Sequence, residues 1–188
     1  MNRREQAAEQ TKENLQAAFW KLYAQKGMEK LSVKEVAAMA GYNRTTFYIY
    51  YQDLYDLLHR MEDEILENVK AVLNGYGNGL REEAGSPLMD AILCLLDKYG
   101  KYVSILLGEH GDPQFSARLK AVIWPFLMRW LIPRKAWTDY EMSLLSEFYL
   151  SGILAVITRW SADPQMTLQE LVAFFLPIAF PETEDKLI

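Results

Sequence analysis

The sequence predicts an all-α fold. Apolar residues recur at helical spacing along almost all of the 188 residues, and no segment holds the apolar–polar alternation of a half-buried strand. The breaks between periodic segments fall at helix start and stop residues: glycines, prolines and Ser/Thr–x–x–Glu pairs. About nine helices are expected on this pattern, in two domains. Residues 1–50 form a three-helix N-terminal domain, and residues 51–188 a larger helical domain.

The elements follow in order. Leu15, Ala18, Phe19, Leu22 and Tyr23 line one face of a first helix, which Gly27 ends. Ser32 and Glu35 make a capping box, each side chain serving the other's unpaired backbone donor. The helix they open buries Val33, Val36, Ala37 and Ala40 and stops at Gly41. Asn43 caps a short third helix, Arg44 to Tyr50. A fourth runs from about Gln52, with Leu54, Leu57, Leu58, Met61, Ile65, Val69 and Val72 on one stripe. Asn74 to Gly85, with four glycines, reads as a linker. Ser86-Pro87 opens a helix to Leu107, and Asp112-Pro113 opens another. Pro125 predicts a kink or division of that one near Trp124, and Pro133 ends it. Thr138 with Glu141 and Thr167 with Glu170 are capping boxes for helices reaching about Trp160 and Leu176.

Composition removes several classes. At 51% hydrophobic, with 7 Pro and 10 Gly, the chain is neither disordered nor fibrous. A single cysteine excludes a disulfide scaffold and fits a reducing compartment. The most apolar run, Leu171 to Phe180, holds Pro177 and falls short of the roughly 20 residues of a spanning helix, so no membrane segment is expected. The polar start Met-Asn-Arg-Arg-Glu-Gln does not read as a signal peptide, which makes the cytoplasm the expected location. Net charge is −5, but residues 1–58 carry 8 Lys/Arg against 7 Asp/Glu, and residues 59–188 carry 12 against 18. The acidity lies in the second domain.

Residues 32–51 carry the functional signal. Two helices joined by Gly41-Tyr42-Asn43 form a helix-turn-helix, whose second helix can enter the DNA major groove. Phe47 and Tyr51 can pack inward, leaving Arg44, Thr45 and Tyr48 on the opposite side. A guanidinium, a hydroxyl and a phenol there can reach base edges and phosphates. Ser32 offers a hydroxyl and backbone amides to a phosphate.

The run from Ser32 to Leu58 resembles the DNA-binding domain of TetR-type transcriptional regulators. Shared features are Ala40-Gly41 before the turn, Thr46-Phe47-Tyr48 in the recognition helix, the aromatic pair Tyr50-Tyr51, and Asp53-x-x-x-Leu57-Leu58. The resemblance covers about residues 9–70. Weaker similarity continues in Gly108-x-x-Gly-Asp-Pro-x-Phe115 and in Gly152 followed by Trp160. It implies phosphate contacts from Tyr48, Tyr50 and Ser32, and groove or base contacts from Arg44, Thr45 and Thr46, with Tyr42 and Asn43 in the same interface. Many members carry a lysine at the start of the fourth helix to hold a phosphate; Leu54 stands there instead. The resemblance therefore shifts weight to Arg44, the tyrosine hydroxyls, and Arg3, Arg4 and Lys12.

Other residues have plainer readings. His59, His110 and Cys94 supply no ligand set of usual zinc spacing, so no metal and no cofactor are expected. Cys94, among Ile92, Leu93, Leu95 and Leu96, reads as a buried inert thiol. Glu62, Asp63, Glu64 and Glu67 read as a solvated face. The aromatic and Met-rich stretch 99–160 is either ordinary core or the lining of a ligand cavity; Tyr99, Tyr102, Trp124, Met128 and Phe148 are the ligand-binding candidates, for a small apolar or aromatic molecule. Leu144, Phe148, Ser151, Gly152 and Ala155 in 138–160, with Leu168, Leu171, Val172 and Phe175 in 167–176, form the candidate interface between two copies of the chain. The expectation is a non-enzymatic, ligand-responsive repressor that binds a pseudo-palindromic double-stranded operator as a homodimer. The rival is a non-inducible helical DNA-binding or protein-interaction factor, such as a co-regulator or chromosome-organising protein.

Overall fold

The computed structural model describes residues 3–75, 87–108, 111–130 and 136–179. Eight α-helices and one 3-10 turn occur among them, with no strand. They are α1 (Arg3–Lys26), the 3-10 turn Met28–Lys30, α2 (Val33–Met39), α3 (Arg44–Tyr50), α4 (Leu54–Gly75), α5 (Pro87–Leu106), α6 (Pro113–Trp130), α7 (Asp139–Ala162) and α8 (Leu168–Ala179). The linker beyond Gly75, the Ser86 cap, His110 and the Pro133 stop lie outside the described residues.

The chain divides into two compact units, one containing Met1–Glu64 and the other Ile65–Gly108 and Asp112–Ile188. The division falls inside α4. In the first unit α1 packs on α2, and α2 on α3. Leu15, Phe19, Tyr23, Val36, Phe47 and Leu57 are buried there, each large side chain contributing about 1.5–3 kcal/mol of transfer free energy. Phe19 and Tyr23 stack with centroids 5.4 Å apart. Gly27 and Gly41 take positive φ values of 68° and 81°, so both stops use the conformation that glycine reaches without a Cβ clash.

In the second unit α7 packs against α5 and α6. Leu127 and Leu150 form a core cluster with Ile123, Trp124, Phe126, Met128, Tyr149 and Ile153 around it. Lys120 ties α6 to α7, its Nζ donating to Glu147 Oε1 at 2.9 Å and to Ser151 Oγ at 2.8 Å. Both Thr capping boxes form. Glu141 N donates to Thr138 Oγ1 at 3.3 Å and Glu170 N to Thr167 Oγ1 at 3.2 Å, and each carboxylate accepts from its threonine's backbone N–H.

Four expectations need correction. No division occurs at Pro125, because α6 continues through it. Pro125 and Ala121 are both exposed, so the carbonyl that loses its i+4 donor is on the wet side of the helix, where water can serve it. Glu62 is not on a solvated face; it is 1% exposed, while Asp63, Glu64 and Glu67 are exposed as expected. Cys94 is exposed, not buried, since the apolar run around it winds past every face of α5. Finally, α7 is long and apolar enough to cross a membrane by length and composition, and little of it is buried. Its apolar residues are interspersed with Ser, Gly and Glu147, so a scan for one unbroken apolar run passes over it.

Candidate nucleic-acid interface

Two caps set the geometry of the helix-turn-helix. Ser32 caps α2: Glu35 N donates to Ser32 Oγ at 3.3 Å, and Ser32 N and Oγ donate to Glu35 Oε2 at 3.1 and 2.8 Å. Lys26 Nζ reaches Glu35 Oε1 at 2.6 Å. The Lys26 ammonium and then the Ser32 hydroxyl hold the Glu35 carboxyl below its ordinary value of 4.5. Asn43 caps α3, its Oδ1 accepting from Thr46 N at 2.9 Å and Thr46 Oγ1 at 3.1 Å.

These caps point α3 so that one face is sealed and the other is open. Phe47 and Tyr51 are buried. Tyr51 Oη accepts from Gln16 Nε2 at 3.3 Å, and burial pushes its phenol above its ordinary value of 10.0. Arg44, Thr45 and Tyr48 are exposed together; Thr45 stands about 160° around the helix from Phe47, and Arg44 and Tyr48 about 60° and 100° to one side of it. Tyr48 is 56% exposed, with its ring edge-on to Phe47 at 5.7 Å. Thr46 and Tyr50 are half-buried on the flank. Tyr42, in the turn, is half-buried, and hydrogen bonds to Thr11 and Asn14 hold its hydroxyl below its ordinary value.

Two of the candidate interface residues are therefore partly committed to structure. The Ser32 hydroxyl already donates to a carboxylate, and a phosphate arriving there would meet the Glu35 charge. Asn43 spends its side-chain oxygen on the cap. Among the supporting cations, Lys12 pairs with Glu9 at 3.2 Å, and Arg3 and Arg4 are exposed. Met39 and Ile49 are also exposed on α2 and α3; neither was expected at the interface, although Ile49 stands two residues from Phe47 and so must leave the buried face.

Residues 15–61 match the family described as bacterial regulatory proteins, tetR family. Residues 85–177 match a second description, transcriptional regulator C-terminal region. The chain belongs to the TetR family of transcriptional regulators. It is thus a DNA-binding regulator with an N-terminal helix-turn-helix.

Solved structures share the fold over nearly the whole chain. A TetR transcriptional regulator from Streptococcus agalactiae 2603V is 21% identical with TM-score 0.67, covering 94% of this chain and 97% of the other. The dihydroxyacetone kinase operon activator DhaS is 17% identical with TM-score 0.55, over 95% and 98%. NalD from Pseudomonas aeruginosa, the secondary repressor of the MexAB-OprM multidrug efflux pump, is 17% identical with TM-score 0.52, over 93% and 96%. No curated protein matches the sequence.

In the second domain of this TetR-family chain, the five ligand candidates do not converge. Tyr99 is buried and lines an open cleft of about 520 Å³ with Asn68, Val72, Ala91, Cys94 and Lys98. Lys98 Nζ sits 4.6 Å from the centre of the Tyr99 ring. Trp124 and Met128 are half-buried in the α6–α7 cluster, Tyr102 is half-buried on α5, and Phe148 is 73% exposed. The candidate dimer surface is also redrawn. Tyr140, Leu144, Phe148, Gly152 and Ala155 are exposed on α7, whereas Leu168 and Leu171 are buried within the chain and Phe174 and Ile178 are the exposed apolar residues of α8.

Proposed function

We propose that this TetR-family regulator is a homodimeric, ligand-responsive repressor of a pseudo-palindromic operator. The open face of α3, with Arg44, Thr45 and Tyr48 exposed while Phe47 is buried, is the observation that carries the DNA half of the reading. Arg44 reads a base or the groove edge, Tyr48 and Tyr50 hold phosphates, and Thr45 and Thr46 face the groove. Tyr42, Asn43 and Ser32 act chiefly by fixing the turn and the caps. The exposed apolar stripes of α7 and α8 support pairing of two copies as a four-helix interface. Such a dimer presents two recognition helices to half-sites about one helical turn, roughly 34–36 Å, apart.

A ligand releases DNA only by binding one arrangement of the recognition helices better than the other. The cleft at Tyr99 is the place for a small apolar or aromatic molecule, since α4, which lines it at Asn68 and Val72, begins at Leu54 immediately after the helix-turn-helix. The protein is read as cytoplasmic and non-enzymatic, working without a cofactor. The scatter of the ligand candidates favours one second reading, a regulator that needs no inducer. Selection of duplexes from a random pool, followed by titration with apolar compounds, tests both halves. Enrichment of a two-fold symmetric site and its release by a compound support the repressor; a symmetric site that no compound releases supports the non-inducible reading; no enrichment contradicts operator binding.

A further inference from the structure

Ile49 is 71% exposed, more than any other large apolar residue described in the first unit. Isolated surface hydrophobics are ordinary, so its position on α3 is what matters. At about 100° per residue, Thr45 and Ile49 each lie roughly 160° from the direction of buried Phe47. Arg44 and Tyr48 flank them on one side; Thr46 and Tyr50, both half-buried, flank them on the other. The i, i+4 pair Thr45–Ile49 is therefore the ridge of α3 farthest from its buried face. Both are β-branched and stiff at χ1, so their methyl groups are held in place at little entropic cost.

The major groove offers an aliphatic side chain one complementary feature, the C5-methyl group of thymine. Against the polar edges of the other bases, a branched alkyl group would strip water from donors and acceptors without replacing it. We infer that Ile49 reads a thymine methyl, fixing an A·T pair in each half-site. This rests on the reading of α3 as the helix that enters the groove, and it adds a specificity determinant that the polar residues of α3 do not supply.

The experiment uses the full-length protein and the duplex enriched from a random pool. Each thymine of one half-site is replaced in turn by uracil, which removes only the methyl group. One position should weaken wild-type binding about fourfold, the effect of losing one buried methyl-sized contact. In Ile49→Ala that penalty should fall to nearly none, while Ile49→Val, which keeps a branched methyl pair, should retain most of it. Indifference of the wild type to uracil at every position overturns the inference, as does an undiminished penalty in Ile49→Ala. Tight binding with that indifference overturns Ile49's role alone; failure of the protein to enrich any duplex overturns the DNA reading and this inference with it.

Discussion

Asn14 Nδ2 donates a 3.1 Å hydrogen bond to the hydroxyl of Tyr42, joining the middle of α1 to the turn of the helix-turn-helix across 28 positions of sequence. A similar tie, from Gln16 to Tyr51, closes the other end of α3. α3 is thus held at both ends by amide side chains of α1. Removing the Tyr42 hydroxyl as Tyr42→Phe should cost about 0.5–1.5 kcal/mol, the net worth of one such bond, visible as a lower urea midpoint. It should also weaken all duplexes alike, because a loosened turn misplaces every contact of α3. An unchanged midpoint would contradict the tie.

The capping box gives the DNA-binding unit an acid-sensitive element. Hydrogen bonding to Lys26 and Ser32 lowers the folded Glu35 carboxyl below its ordinary 4.5. Its stabilising contribution is therefore fully present above 4.5 and disappears as the pH falls through the lower folded value. Urea midpoints measured from pH 6 down to about pH 3 should decline less steeply in Glu35→Gln than in the wild type. Ser32→Ala should cost about 1 kcal/mol at neutral pH, as loss of an N-cap does. Parallel curves for Glu35→Gln and the wild type would contradict the coupling.

Most of this architecture was legible because its determinants are local. Ser32–Glu35, Asn43, Thr138–Glu141 and Thr167–Glu170 act within a single turn, so the sequence places those caps correctly and Phe47 and Tyr51 on the buried face. The Asn14–Tyr42 and Gln16–Tyr51 bonds join residues far apart in sequence, and neither amide carries any local mark of its role. Cys94 and Glu62 depart from expectation for a related reason. Composition around a residue does not say which way a helix turns it, and a run such as Ile92 to Leu96 passes through more than a full turn. On α8 the same ambiguity chose Leu168 and Leu171 for the partner surface, whereas the chain's own core takes them.

Gly152 tests the dimer surface cleanly. A Cβ built there meets nothing within 4 Å, so Gly152→Trp should leave the fold of one chain intact while obstructing a partner. Phe148→Glu places a charge on the same exposed stripe. Sedimentation at micromolar concentration should give a dimer for the wild type and a monomer for both variants, with unaltered helical circular dichroism. A wild-type monomer, or dimers in all three, would remove α7 from the interface.

Cys94 reports on the cleft. Its exposed thiol should react completely with a thiol reagent in the native protein, without denaturant. A compound that occupies the cleft at Tyr99 should slow that reaction and release DNA over the same concentration range. Release of DNA with Cys94 fully reactive would place the ligand elsewhere in the domain.

The DNA-reading face of α3 is tested most directly by the affinity of the Arg44→Ala, Tyr48→Phe double variant for the selected operator, measured by fluorescence anisotropy at several salt concentrations. Wild-type binding should fall as salt rises, since phosphate contacts release counterions. The double variant should bind at least about tenfold more weakly, with a shallower salt dependence from the lost phosphate contact and with less preference between sequences, because one good base contact is worth about 1–3 kcal/mol of discrimination. Operator affinity, salt dependence and sequence preference all unchanged in the double variant would contradict the assignment of the open face of α3 as the surface that reads DNA.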